Sequence, residues 1–89
     1  MKQAIWKFNL KVADRQVLKA PPMIPLTVQL QYGMPCLWAI VSVDEAEIEM
    51  PIIMRGTGWE TDSEKLDMAT KLRYLGTVQV NGFVWHYFW

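Results

Sequence analysis

Eighty-nine residues, 52% of them apolar, make a single domain too hydrophobic for disorder. Nine basic and nine acidic side chains cancel, so the chain lacks the cationic excess that grips duplex DNA or RNA, although one or two placed cations would still suffice for a small anion. Five Trp, six Met, three Tyr and three Phe exceed what so small a core hides, and part of that surface is expected to meet a ligand or a partner subunit.

Residues 4–12, "AIWKFNLKV", alternate with period two and predict a strand. Ala4, Trp6, Phe8, Leu10 and Val12 share its buried face, and Ile5, Lys7, Asn9 and Lys11 its mostly wet one. A turn and a short segment follow, ended by Pro21 and Pro22, which cannot donate to a ladder. "LTVQLQ" alternates again, with Leu26, Val28 and Leu30 inward. "YGMP" supplies hairpin chemistry leading into "CLWAIVSV", a strand apolar on both faces and so central or covered. "EIEMPIIM" is strand-like, and its Pro51 suits a sheet edge or a bulge.

Beyond "RGTGW", Thr61 and Glu64 fit a capping box that opens a helix over about residues 63–73, with Leu66, Ala69 and Leu72 as its apolar stripe. In "GTVQVNGFVWHYFW", Asn81-Gly82 predicts a type I′ hairpin. Phe83, Trp85, Tyr87 and Trp89 share one face of the last strand, and Val84, His86 and Phe88 the other. The expected fold is mainly β: a small antiparallel sheet or barrel of six or seven strands with one short helix. Two strands apolar on both faces predict a homo-oligomer, with Trp89 a candidate intersubunit contact.

The stretch most suggestive of a site is residues 55–59. Glycines permit backbone conformations whose NH groups converge on an anion, and the predicted helix N-terminus adds more. Arg55 could pair with phosphate, Gly56 and Gly58 could cradle it with the Thr57 hydroxyl, and Trp59 offers a face for a base. Lys7 reads first as part of a solvated sheet face but could be a second phosphate contact, and Trp38 could be a second stacking platform, whereas Trp6 and Trp85 read as core. An ordinary strand-to-helix turn, with Trp59 folded onto the core, is the competing reading.

Lone His86 between Val and Phe reads as a hydrogen-bonded structural residue, and Cys36 as a small core hydrophobe. One cysteine allows neither an internal disulfide nor a Cys-based metal cluster. Asp44, Glu45, Glu47 and Glu49 fit a solvated connection. No catalytic constellation, metal site or cofactor is therefore expected. No leader-like or membrane-spanning apolar run is present, which predicts a cytosolic protein.

The blocks "IWKF", "YGMPCLWAIV", "GTGW" and "YLGTVQVNGFVWHYF", in about 90 residues, resemble a widespread family of small bacteriophage and prophage proteins. The resemblance implies a protein acting in the host bacterial cytoplasm, of a kind that includes sponges for the cyclic-nucleotide signals of host defences such as CBASS. The leading expectation is thus a phage anti-defence protein that sequesters a cyclic nucleotide without cleaving it. The alternative is a phage accessory protein that inhibits a host protein through an exposed aromatic surface.

Overall fold

A computed structural model describes residues 2–60 and 73–89. These form seven strands: β1 Gln3–Asn9, β2 Arg15–Ala20, β3 Met23–Gln31, β4 Met34–Ser42, β5 Ile48–Gly56, β6 Tyr74–Val80 and β7 Phe83–Phe88. They pair antiparallel in two sheets, a three-stranded sheet ordered β1-β4-β3 and a four-stranded sheet ordered β2-β5-β7-β6. The mainly β expectation holds, as two sheets rather than a closed barrel. The helix expected over residues 63–73 lies outside the described residues except at Arg73. There the backbone is extended, with Arg73 and Trp89 exchanging N–H···O bonds of 3.0 and 3.3 Å.

Two hairpins set the registers. Asn81-Gly82 has φ of 54° and 80°, as type I′ requires, and fixes the ladder that runs from Val80↔Phe83 down to Thr77↔His86. Tyr32-Gly33 has nearly the same angles, 54° and 77°, and joins β3 to β4. Pro51 lies within β5, which β2 and β7 flank, but the β7 pairing begins only at Ile53. At Pro51 the strand is paired on one side, which suits a residue without an amide hydrogen.

Alternation then assigns the faces. Val28 and Leu37 from the three-stranded sheet meet Met50, Ile52, Met54, Val78 and Tyr87 from the four-stranded one, with Leu10 and Leu75 completing the buried cluster. Burying each large apolar side chain contributes about 1.5–3 kcal/mol, so this shared core holds the two layers together. The sheets come into backbone contact where Gly76 of β6 meets Val28 in β3.

The β1–β2 connection bridges the layers and is firmly tied. Leu10 N donates to Pro35 O, Met54 N to Asp14 O, and the buried Tyr87 hydroxyl to Lys11 O at 3.0 Å. The Gln16 amide group closes on both backbone groups of Lys11, at 2.8 and 3.0 Å.

Several side chains expected inward from the period-two pattern are exposed, Val12 at 45% and Leu30 at 41% among them. Trp6, expected in the core, is 40% exposed because β1 is an edge strand of its sheet. Leu26, expected inward, sits at a register shift between Pro25 and Thr27 and is about half exposed. Trp89 packs within its own chain, against the core and beneath the Arg73 guanidinium, 4.4 Å from its ring. Among the described residues no helix is long and apolar enough to cross a membrane.

Candidate functional site

The loop that follows β5 is a tight turn. Trp59 N donates to Gly56 O at 3.1 Å, Gly58 has φ 80°, and Thr57 is not at positive φ, which together define a type II turn. Thr57 N donates to Val84 O, so the amides of Thr57 and Trp59 are committed to backbone carbonyls. This is a different geometry from a concave ring of amides facing an anion. Arg55 is only 8% exposed, and its Nη1 donates to Asp14 O at 3.1 Å and to Met54 O at 2.6 Å. Its guanidinium thus ties β5 to the β1–β2 connection.

The seven residues singled out in the sequence fall in three places. Thr57 lies on the outer face of the four-stranded sheet, where its hydroxyl meets His86. Trp59 lies toward the inner side: its indole covers Gly56 and meets Trp85 edge-on with ring centroids 5.2 Å apart, leaving 51% of the residue exposed. Lys7 and Trp38 are cross-strand neighbours on the outer face of the other sheet, where Lys7 Nζ bonds Gln31 Oε1. The structure therefore brings residues 55–59 together and keeps Lys7 and Trp38 apart from them.

What the loop does join is a chain of polar side chains. Thr57 Oγ1 lies 2.6 Å from His86 Nε2, His86 Nδ1 lies 2.9 Å from Thr77 Oγ1, and Thr77 Oγ1 lies 2.5 Å from the Tyr74 hydroxyl. The order follows from the ladder, because Arg55, His86 and Thr77 are register neighbours on β5, β7 and β6. Thr57, Thr77 and Tyr74 are all exposed, so solvent reaches the chain.

A neutral imidazole donates from one nitrogen and accepts at the other, which gives this chain two internal states. With the proton on Nδ1, His86 donates to Thr77, Thr77 donates to Tyr74, and the Tyr74 O–H points away from the chain. With the proton on Nε2, every bond reverses and the Thr57 O–H is the one left pointing outward. An acceptor placed at either end selects one state. The Thr57–His86 contact also has the reach of a nucleophile and its base, and the second ring nitrogen meets a threonine hydroxyl where Ser-His-Asp triads place a carboxylate.

Sequence reasoning missed Thr77 and Tyr74 and set His86 aside as structural. The signal was present: counting back from the Asn81-Gly82 turn pairs Thr77 with His86. Among the described residues no three His, Cys, Asp or Glu side chains gather as metal ligands would. Cys36 is buried, with Sγ 3.5 Å from Asn9 Oδ1.

Fold and site together define a small two-sheet β protein with a surface hydroxyl–imidazole chain at the end of one sheet. A family model described as a domain of unknown function (DUF7352) matches residues 1–89, and the chain belongs to that family. No curated protein and no solved structure matches it.

Proposed function

We propose that this protein binds and sequesters a cyclic nucleotide without cleaving it, as its resemblance to a family of small bacteriophage and prophage proteins led us to expect. The observation that carries the reading is the accessible chain Thr57–His86–Thr77–Tyr74, with the half-exposed indole of Trp59 on the opposite side of the same sheet end. Hydroxyl and imidazole donors suit phosphate oxygens, and the indole suits a base. Because Thr57 and Trp59 face opposite sides of the sheet end, a ligand using both must reach around it. An extended molecule with separate phosphate and base parts fits that requirement better than a compact anion. Among the described residues His86 Nδ1 meets the Thr77 hydroxyl rather than a carboxylate, which favours capture over turnover.

The test is the melting temperature against cyclic di- and trinucleotides, linear nucleotides and inorganic phosphate. A ligand at 100 times its dissociation constant stabilises the fold by about 2.7 kcal/mol. A selective shift that Thr57→Val and Trp59→Ala each abolish supports the reading. No shift with any nucleotide overturns it.

A further inference from the structure

The two hairpins form an internal comparison. Asn81-Gly82 and Tyr32-Gly33 adopt the same turn, with φ of 54° at the first residue in both. Asparagine enters the left-handed region readily, whereas a bulky side chain there is strained by about 1–2 kcal/mol. Tyr32 is also 95% exposed, so no packing within the chain offsets that strain. Neither turn geometry nor the core accounts for a tyrosine at this position, which directs attention to what its ring touches outside the chain.

Tyr32 stands at one end of the β3–β4 hairpin. At the other end, on the outer face of the three-stranded sheet, an open cavity of about 120 Å³ is lined by Gln3, Pro22, Met23, Ile24, Ile40 and Ser42. Engineered cavities of about 150 Å³ take up benzene, so this one is of the right order for an aromatic ring. Ile5, Ile40 and Ile24 cross the same face in a single row, one from each strand, with Ile5 and Ile24 64% and 60% exposed. Trp38 lies on this face midway between knob and hole.

We infer that this face is an isologous dimer interface in which Tyr32 of each copy enters the cavity of the other. Eight residues separate Ile24 from Tyr32, roughly 25 Å along a strand. A two-fold axis across the strands near Trp38 reverses the hairpin and lays each ring over the opposite cavity, and one operation satisfies both contacts. A second copy is the occupant that brings knob and hole in the matching arrangement.

Charge agrees with this choice. The net charge of the chain is zero, so two copies meet without long-range repulsion. On this face the register places one charged side chain, Lys7, on edge strand β1 and already bonded to Gln31, which leaves it at a polar rim. A face of roughly 15 by 30 Å is at the small end for specific interfaces, so the dimer is concentration-dependent. This inference stands independently of the ligand reading.

The experiment is sedimentation equilibrium of the full chain over micromolar to millimolar concentrations, comparing wild type with Tyr32→Asn and Ile24→Glu. Tyr32→Asn restores the favoured Asn-Gly turn, so its thermal midpoint should rise while its dimer dissociation constant increases about tenfold or more. Ile24→Glu should be monomeric throughout with an unchanged circular dichroism spectrum. Wild type monomeric at every concentration overturns the inference and leaves the face to a foreign protein. Self-association undiminished in Tyr32→Asn overturns it as well.

Discussion

Gly76 of β6 is seated directly on Val28 of β3: a Cβ at position 76 would lie 2.3 Å from the Val28 carbonyl oxygen. The obstacle is backbone, which cannot swing aside as a side chain would. Gly76→Ala must therefore push β6 away from β3 at this contact. We expect a loss of about 3 kcal/mol, lowering the thermal midpoint by roughly 15 °C, measured by differential scanning calorimetry. A fall of only a degree or two would show that the sheets can slide apart at little cost.

Gly56 presents the opposite case. A Cβ there would lie 2.7 Å from the Trp59 ring, a half-exposed side chain free to move outward. Gly56→Ala should displace the indole from Trp85 at a cost of about 1 kcal/mol, the size of one aromatic pair. Tryptophan fluorescence should shift to longer wavelength, with the shift absent in a Trp59→Phe background.

Tyr87 links the core to pH. Desolvation by burial pushes its hydroxyl from 10 up to about 12. A neutral phenol favoured by the fold contributes stability that is complete below the unfolded value and is lost as pH rises through the folded one. Stability should therefore decline by on the order of 2 kcal/mol between pH 10 and 12. Tyr87→Phe should lose about 1 kcal/mol at neutral pH with the bond to Lys11 O, and its alkaline decline should be correspondingly shallower in urea titrations. Parallel alkaline profiles for the two proteins would contradict this assignment.

His86 fastens the loop to the hairpin through Thr57 and Thr77. His86→Ala should cost about 1 kcal/mol and let the Thr57 amide, bonded to Val84 O, exchange about fivefold faster. Hydrogen exchange followed by NMR reads this directly. If Thr57 keeps its protection, the imidazole does not hold the loop.

The sequence by itself determined the alternating strands and both hairpin turns, but it left β2 as a short segment and did not show the register shift that turns Leu26 outward. Side-chain period and turn chemistry are local, and the Asn81-Gly82 turn was enough to set Thr77 opposite His86. Pro51 was likewise readable as a residue needing one unpaired side. What the tertiary structure decided was which strands share a sheet. Period two separates two faces of a strand but does not say whose face lies across the core. That choice drew Arg55 to the carbonyls of Asp14 and Met54, set Trp59 on Gly56 and Trp85, and left Lys7 and Trp38 on the other sheet. It also left Trp6 partly exposed and placed the Ile24 cavity and Tyr32 at opposite ends of one hairpin. Long-range pairing and packing brought residues far apart in the chain into contact, and no spacing within a single segment encodes that choice.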